Sequence, residues 1–299
     1  MSDIITLENI TYVYSPGTPY EKKALDNISV SFEKGTVTGI IGHTGSGKST
    51  LVRLLNGLER PSSGRVLLDG EDIWLKPKSI GKIRFRVGLV MQYPEYQLFE
   101  ETVRKDIAFG PKNMKLPEDE IERRVRETAK TVGLSEEVLD MAPFDLSGGR
   151  KRRAAIAGVM AMTPEVLILD EPAAGLDPEG RKKVFDAISA YKEEHGATVI
   201  IVSHSMEDMA ERCDRLCILN NGRIAAYGNS GDIFGDPSVL IGAGLDVPEI
   251  TAVAYKLSER GLKLGKAVFT VSDAAEAVAE ILKGRKAGSD GMGKGGFTL

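Results

Sequence analysis

Cysteine is nearly absent from this sequence. Only Cys213 and Cys217 occur among its 299 residues, and two cysteines cannot build the disulfide framework of a small secreted protein. Their scarcity indicates a reducing compartment. The C-x-x-x-C spacing would suit a pair of metal ligands, but no second cysteine pair and no nearby histidine completes a site. We therefore predict that both residues are buried structural thiols.

Long apolar runs are also missing. No stretch approaches the ~18 apolar residues that a membrane-spanning helix requires. The amino terminus, "MSDIITLENI", lacks the charged-then-apolar layout of a signal sequence. The sequence therefore predicts a cytosolic protein, and any role at a membrane has to come through a partner.

An excess of positive charge is the third absence. Lys and Arg number 39 against 43 Asp and Glu, so the net charge is -4. A protein that binds nucleic acid over its whole surface is usually basic, and no nucleic-acid partner is expected here. Against this background the four consecutive cations of "RKRR", residues 150–153, are a local feature.

Apolar residues make up 42% of the chain, and their spacing alternates between strand and helix patterns. Short apolar runs predict buried strands in "VTGIIG", "RVGLVMQ", "PEVLILDEP", "ATVIIVSH" and "RLCILNNGRI". Helical spacing is seen in "GKSTLVRLLNGL", "RKRRAAIAGVMAM" and "RKKVFDAISAYKEEHG". Two N-terminal segments, "IITLENITYVY" and "ALDNISVSFEKG", predict further strands. The pattern indicates an α/β fold with a buried sheet and a helical insertion.

A glycine-rich segment, "GHTGSGKST", fits G-x-x-x-x-G-K-[ST] and lies between a predicted buried strand and a helix. Glycine lets the backbone curl so that successive N–H groups face a phosphate, and the helix N-terminus adds its dipole. Lys48 would hold the β- and γ-phosphates, and the Ser49 hydroxyl would contact Mg²⁺. His43 occupies a free position and is expected to face solvent rather than to act in catalysis. The candidate nucleotide-binding residues of this loop are Gly42, His43, Thr44, Gly45, Ser46, Gly47, Lys48, Ser49 and Thr50.

Two adjacent carboxylates follow an apolar strand in "VLILDEP". Burying both would be costly without a cation nearby. Asp170 is predicted to reach Mg²⁺ through water, and Glu171 to orient or deprotonate the attacking water. An acidic turn at a strand end is the alternative, which the phosphate loop makes the weaker interpretation.

Two further polar residues follow predicted strands. Gln92 ends the run "RVGLVMQ", where its amide could bind Mg²⁺ or water and report its position to a moving subdomain. His204 ends "ATVIIVSH", where a strand's carboxyl end faces the ligand crevice of an α/β sheet and a histidine could bond the γ-phosphate.

The segment "DLSGGRKRRA" combines a predicted helix start with four cations. Ser147 is the expected N-cap residue. Cations at a helix N-terminus are disfavoured by about 0.3–1 kcal/mol each. The segment has no obvious anion of its own, so a negative group is expected to approach it from elsewhere.

Taken in order, residues 42–50, Gln92, "LSGG", "VLILDEP", "AGLD" and His204 resemble the motifs of ATP-binding cassette (ABC) ATPases over roughly residues 4–228. The resemblance implies a P-loop NTPase fold with a RecA-like core, N-terminal antiparallel strands and an inserted helical subdomain. It implies ATP and Mg²⁺ as ligands. It also makes Tyr14 the aromatic residue that stacks on adenine, with Tyr12 as the competing choice, and Asp177 the acid of the loop after the catalytic glutamate.

In this family two cassettes pack head to tail, and each signature segment caps the γ-phosphate bound by the other. The resemblance therefore implies that Ser147, Gly148 and Gly149 contact a partner's ATP. Arg150 stands where the family commonly has Gln; it could still reach the ribose or a phosphate through its planar fork of donors. Residues 151–153 could equally form a solvated face.

The stretch 91–113, "MQYPEYQLFEETVRKDIAFGPKN", is similar to that of energy-coupling factor (ECF) transporter ATPases of the second type. That resemblance implies a groove for a helix of a transmembrane coupling subunit, a separate substrate-binding membrane subunit, and a second ABC ATPase in a heterodimer or a homodimer. The expected activity is ATP hydrolysis at the cytoplasmic face of the membrane that powers uptake of a vitamin or a transition metal ion. Another ABC transporter branch, and a soluble ABC protein of translation or repair, are the alternatives.

The predicted organisation has three parts. Residues 1–228 would form the ATPase domain, with the helical subdomain inserted at about 93–162. Residues 229–285 would form a small helical extension with a possible role in dimerisation. The Gly-rich, polar residues 286–299 are expected to be a flexible tail.

Overall fold

The computed structural model describes residues 2–262, 264 and 268–289. Ten strands lie in this part of the chain: β1 Asp3–Tyr14, β2 Lys22–Glu33, β3 Val37–Ile41, β4 Ser63–Leu68, β5 Glu71–Asp72, β6 Val87–Val90, β7 Val166–Asp170, β8 Thr198–Val202, β9 Arg215–Asn220 and β10 Arg223–Asn229. The same residues contain twelve α-helices: α1 Lys48–Leu55, α2 Ile80–Arg86, α3 Val103–Asn113, α4 Glu118–Thr131, α5 Glu136–Leu139, α6 Gly148–Met160, α7 Pro178–His195, α8 Met206–Arg212, α9 Ser230–Gly235, α10 Pro237–Gly242, α11 Glu249–Glu259 and α12 Val271–Ser289.

The larger sheet has the order β10-β9-β3-β8-β7-β6. All neighbours pair in parallel except β10, which pairs antiparallel with β9. The carboxyl ends of parallel strands meet at one edge, where ligands bind in open α/β sheets. The phosphate loop after β3, Gln92 after β6, Glu171 after β7 and His204 after β8 all follow strands that end at this edge.

Both faces of this sheet are covered, which is why every residue of β7 and β8 is buried. Successive β7 side chains alternate between two cores, as the pleat requires. Val166 and Ile168 pack with α1 and with the smaller antiparallel sheet, of order β2-β1-β4-β5. Leu167 and Leu169 pack on the opposite face with residues of α3, α6 and α7.

Helices α3 to α6 are inserted between β6 and β7. The Thr102 side chain caps α3 by accepting a hydrogen bond from the Lys105 N–H. Arg104 then joins three helices, because its guanidinium contacts Glu122 of α4 at 2.5 Å and Glu136 of α5 at 2.8 Å. These ion pairs link α3, α4 and α5 to one another.

Helices α11 and α12 enclose a small core of their own around Leu264, Val268 and Ala277. Thr270 and Asp273 cap α12 reciprocally, since each backbone N–H donates to the other side chain, at 3.0 and 3.1 Å. The α12 backbone continues to Ser289, so it extends into the segment expected to be a tail. Residues 290–299 lie outside the described residues.

The α/β class, the sheet and its antiparallel N-terminal partner agree with the sequence prediction. One strand prediction was wrong: "RLCILNNGRI" is a β9–β10 hairpin, because Asn221 and Gly222 both adopt positive φ, 49° and 75°, as a two-residue turn requires. Cys213 and Cys217 are free and buried, as predicted. Among the described helices, none is long and apolar enough to cross a membrane.

Candidate nucleotide-binding and hydrolysis site

The loop after β3 needs glycine where neighbouring backbone comes close. A Cβ at Gly42 would lie 2.3 Å from the Leu219 carbonyl oxygen, and one at Gly47 would lie 2.8 Å from the Ala24 carbonyl oxygen. Gly47 also has φ 110° and forms the N-cap of α1. Thr44 and Gly45 are exposed at the tip. The loop therefore presents backbone and a helix N-terminus to an approaching phosphate.

Lys48 is buried at the first position of α1, 7% exposed. Its ammonium donates to the carbonyl oxygens of Gly42 at 2.6 Å and His43 at 3.0 Å. Burial lowers the pKa of Lys48, and the nearby carboxylates of Glu171 and Asp170 oppose that shift. The cation that two buried carboxylates require is thus provided by the phosphate loop itself.

His43 does not face solvent freely. Its Nδ1 lies 2.9 Å from the Thr44 carbonyl oxygen and its Nε2 lies 3.2 Å from Asn220 Oδ1. The ring ties the phosphate loop to the end of β9, so the expectation of a solvent-facing side chain was wrong. The reason is the topology, which brings β9 alongside β3.

Asp170 and Glu171 occupy the end of β7. Burial raises the pKa of Asp170, while the Ser49 hydroxyl and Lys48 lower it. Burial, with the charge of Asp170, raises the pKa of Glu171 to about 7, and Lys48 opposes this. Glu171 also has φ 52°, a left-handed conformation that costs a non-glycine residue about 1–3 kcal/mol and is typical of functional sites.

His204 lies opposite Glu171. The distance from its Nε2 to Glu171 Oε1 is 3.5 Å, and Glu171 Oε1 is buried with no hydrogen-bond partner among the described residues. Burial, followed by the charge of Lys48, lowers the pKa of His204. The arrangement leaves one carboxylate oxygen free for a water beside a histidine.

A small cavity of about 150 Å³ adjoins the phosphate loop. Tyr14 lines it, and its hydroxyl lies 2.9 Å from Thr50 Oγ1. Tyr12 instead packs edge-on against Tyr14 and donates its hydroxyl to Glu59 at 2.7 Å. Of the two candidates, Tyr14 is therefore the one placed at the nucleotide side of the loop.

The signature residues lie in a different, larger cavity of about 500 Å³. Ser147 takes the N-cap position of α6 but makes no capping hydrogen bond with its side chain. Asp177 caps α7 through the Gly180 N–H at 2.6 Å. The lining includes Ser147, Gly148, Gly149, Arg150, Arg153 and Asp177, none of which lines the cavity beside the phosphate loop.

Two of the four cations do not form a solvated face. Arg152 is 3% exposed and Arg153 is 9% exposed. Arg152 binds Glu95 through two hydrogen bonds, 2.6 and 3.0 Å long, so the chain does supply an anion to this helix. Arg153 keeps its Nε without a partner in the described part of the chain, and burial together with Arg150 lowers its pKa. Lys151 lies over the Phe144 ring at 5.8 Å.

Comparison with known proteins shows which family the chain belongs to. The sequence profile of the ABC transporter family matches residues 25–174. The energy-coupling factor transporter ATP-binding protein EcfA2 of Clostridium acetobutylicum is 50% identical over 283 residues, which are 94% of this chain and 99% of that protein. The EcfA2 of Clostridium perfringens is 49% identical, over 93% of this chain and 98% of that protein.

Solved structures agree. The structure of cbiO1 from Clostridium perfringens, part of the ABC transporter complex cbiONQ, has a TM-score of 0.72 and 41% identity, covering 85% of this chain and 99% of that one. The ATP-binding cassette MJ0796, solved as a dimer with ADP and Pi, has a TM-score of 0.68 and 28% identity, covering 76% and 99%. The chain belongs to the ABC transporter ATPases. Within them it belongs with the energy-coupling factor ATP-binding proteins, and it binds and hydrolyses ATP.

Some residues of this ABC ATPase site were missed by sequence reasoning. Lys22 and Ala24 line the cavity beside Tyr14, but β2 carries no motif that marks them. Gln92 was predicted to bind Mg²⁺ or water. It follows β6, at the sheet edge where the phosphate loop, Glu171 and His204 also lie. Its side chain is exposed and makes no hydrogen bond with other described residues. Its role stays a prediction.

Proposed function

We propose that this ATPase powers uptake of a vitamin or a transition metal ion through a membrane coupling subunit, at the cytoplasmic face of the membrane. The observation that carries the proposal is the separation of two half-sites. The hydrolysis residues lie around Lys48, whereas the signature residues line another cavity of the same chain. One chain therefore offers two incomplete surfaces, which a second cassette completes.

Hydrolysis would use Glu171 and His204. Glu171 has a free, buried carboxylate oxygen and would orient or deprotonate the attacking water. His204, beside it, would bond the γ-phosphate. Lys48 and the loop N–H groups would bind the β- and γ-phosphates and stabilise the charge that develops on them. Tyr14 would stack on adenine.

Mg²⁺ fits the donors at this point. The Ser49 hydroxyl lowers the pKa of the nearby Asp170 carboxylate, and Gln92 follows the adjacent strand. The available donors are therefore the oxygens that Mg²⁺ prefers. Bound with ATP, Mg²⁺ would neutralise phosphate charge. Asp170 would contact it through water, and Ser49 and Gln92 through their side-chain oxygens.

A second ABC ATPase, in a heterodimer or a homodimer, would bring its ATP to the signature cavity. Ser147, Gly148 and Gly149 line that cavity, and the Ser147 side chain makes no capping hydrogen bond. Arg153 adds an unpaired guanidinium nitrogen that is buried beside them. An anion fits this surface because the chain leaves its donors unused.

The coupling subunit would bind a groove of about 350 Å³ on the inserted helices. Phe99 and Phe109 form an edge-to-face pair there, with ring centroids 5.0 Å apart, and they are 60% and 45% exposed. An apolar face of a helix would bury both rings. Tyr96, 84% exposed, lies on the same segment but outside the groove lining.

The C-terminal extension would contribute to dimerisation. Val253, Tyr255, Val271 and Leu282 leave 48%, 63%, 70% and 55% of their surface exposed on α11 and α12. Apolar surface on a small helical pair is stabilised when a second copy of such a pair covers it.

Detergent extraction of a tagged chain tests the proposal. A second ATPase and a hydrophobic membrane subunit should be recovered with it, and uptake of a vitamin or a metal ion by vesicles should require ATP. Recovery of ribosomes or DNA without a membrane protein would support the soluble alternative. A membrane partner whose substrate is neither a vitamin nor a metal ion would place the chain in another transporter branch.

A further inference from the structure

Arg181 connects the loop of Asp177 to the residues around His204. It stands one turn inside α7, where its backbone N–H donates to the Asp177 carbonyl oxygen at 2.9 Å. Its side chain crosses to α8. There Nη2 donates to Ser205 Oγ at 2.6 Å, and Nε donates to Asp208 Oδ1 at 3.0 Å.

The Ser205 hydroxyl has its full complement of hydrogen bonds. It accepts from Arg181 and from the Asp208 N–H at 3.2 Å, and it donates to Glu207 Oε2 at 3.2 Å. A hydroxyl offers one donor and two acceptor positions, so its rotamer is fixed. The Ser205 N–H is also bound, to Ser203 Oγ at 3.1 Å. The backbone of His204 thus lies between two serines that hydrogen-bond across it, while the His204 side chain is 54% exposed.

The Asp208 carboxylate holds the Arg181 guanidinium in place. It is 5% exposed, and burial raises its pKa while Arg181 and Arg212 lower it. Arg212 lies 3.9 Å from Asp208 and stacks on the Phe185 ring at 4.2 Å. A buried carboxylate of this kind keeps its cation in place, because a buried carboxylate without a cationic partner is costly.

Of the other charged groups around Arg181, Lys182, Glu207 and Glu211 are exposed, whereas Arg212 is half-buried. Lys182, Glu207, Glu211 and Arg212 line a cavity of about 430 Å³ next to it. Lys182 turns away to Asp186 at 2.6 Å. The Glu207 carboxylate accepts from the Glu249 N–H, at the start of α11, at 3.3 Å.

We propose that Arg181 is a positioning residue that sets the place of His204 through Ser205, and that it links the partner-facing loop of Asp177 to the hydrolysis site. The inference rests on the proposed roles of Glu171 and His204. A shift of Asp177 when a second cassette docks moves the start of α7, and Arg181 carries that movement to Ser205.

The test is steady-state ATP hydrolysis by the assembled transporter complex carrying Arg181→Gln. We expect kcat to fall about tenfold or more, since small displacements of a reacting group have effects of this size. ATP binding to the chain should stay within about twofold of wild type, because neither Lys48 nor the phosphate loop is touched. Arg181→Lys, which keeps the charge but not the fork, should restore part of the activity.

Two comparisons distinguish positioning from general stability. Lys182→Gln removes an exposed cation on the same turn and should leave kcat unchanged. Ser205→Ala should lower kcat, and adding it to Arg181→Gln should cause little further loss if both act by one route. Unchanged kcat in Arg181→Gln, or independent losses from the two substitutions, would overturn the proposal. A loss confined to ATP affinity or to thermal stability would also overturn it.

Failure of the proposed function gives a different pattern. If Glu171→Gln hydrolyses ATP at the wild-type rate, the assignment of the hydrolysis residues is wrong whatever Arg181→Gln does. If Glu171→Gln is inactive and Arg181→Gln is as active as wild type, only the positioning role is wrong.

Discussion

Glu171 Oε1 and His204 Nε2 are 3.5 Å apart, at the ends of two neighbouring parallel strands. The backbone holds this pair together as well, because the Glu171 N–H donates to the Val202 carbonyl oxygen at 2.9 Å. Glu171 is kept in a left-handed conformation there. Strain of this kind persists only where the surroundings enforce it, so the position of the carboxylate is set by β7 and β8 rather than by a flexible loop.

Glu171→Gln should abolish hydrolysis and preserve ATP binding. The amide is nearly isosteric with the carboxylate but cannot accept a proton from water. We expect steady-state turnover of the assembled complex to fall by about 10²-fold or more. We also expect an ATP-bound dimer to accumulate, which size-exclusion chromatography would detect. In a heterodimer the partner's site keeps residual activity, so the same substitution in both chains is the control. Near wild-type turnover in that double variant would exclude Glu171 as the base.

Gly42→Ala should remove nucleotide binding and lower stability. The added Cβ would lie 2.3 Å from the Leu219 carbonyl oxygen and 2.5 Å from Ser46 Oγ, so the loop or β9 has to shift. Gly17→Ala is the matched control, because Gly17 has φ 74° but open space around it; its cost should be limited to about 1–2 kcal/mol of backbone strain. ATP binding and thermal unfolding of both variants check this, and equal effects would show that the close approach is unimportant.

The sequence predicted well what depends on neighbours in the chain. Apolar runs identified the buried strands, and the spacing around Lys48 identified the loop. What it missed are contacts between distant positions. Glu95 and Arg152 are 57 residues apart, and His43 and Asn220 are 177 residues apart. A run of charges looks the same in the sequence whether it is solvated or buried, and only the packing of α6 decides which cations need partners.

Phe99→Ala should uncouple hydrolysis from transport. It removes half of an exposed aromatic pair from the proposed coupling groove, and truncating such an anchor costs about 2 kcal/mol or more, roughly a thirtyfold loss of affinity. We expect weaker recovery of the membrane subunit with unchanged ATP binding. Tyr96→Ala, on the same segment but outside the groove lining, should have a smaller effect. Leu75→Ala, an exposed side chain after β5, is the control. Full assembly and transport in Phe99→Ala would contradict the groove assignment.

Arg152→Met should destabilise the fold strongly. The Arg152 and Glu95 side chains are only 4% and 16% exposed, and removing one partner leaves a buried charge that costs about 3–5 kcal/mol. Adding Glu95→Gln should recover part of the loss. Lys182 forms an exposed ion pair with Asp186 and serves as the control. Replacing Lys182 with Met should change the free energy of unfolding by less than about 1 kcal/mol. Denaturant unfolding of Arg152→Met, Glu95→Gln, their combination and Lys182→Met measures these effects. Strictly additive effects of Arg152→Met and Glu95→Gln would show that the ion pair contributes little.

Arg150→Gln tests whether the signature cation faces the partner's nucleotide. Arg150 is exposed and lines the signature cavity beside Ser147 and Arg153, and its charge lowers the pKa of Arg153. Two like charges at a helix N-terminus are unfavourable until an anion arrives. A charge-assisted hydrogen bond contributes about 1.5–3 kcal/mol, of which glutamine retains a part as a neutral donor. We therefore expect the ATP concentration for half-maximal hydrolysis to rise several-fold.

Salt separates the two possibilities for Arg150. If the guanidinium faces phosphate, half-saturation in the wild type should depend more steeply on ionic strength than in Arg150→Gln, because screening weakens only the charged contact. If it faces solvent, the substitution should be silent, or slightly stabilising through relief of its repulsion with Arg153. ATP titrations at two ionic strengths decide between them. Equal half-saturation values and equal salt slopes would leave Ser147 and the two glycine N–H groups, with Arg153 behind them, as the contribution of this surface to ATP binding.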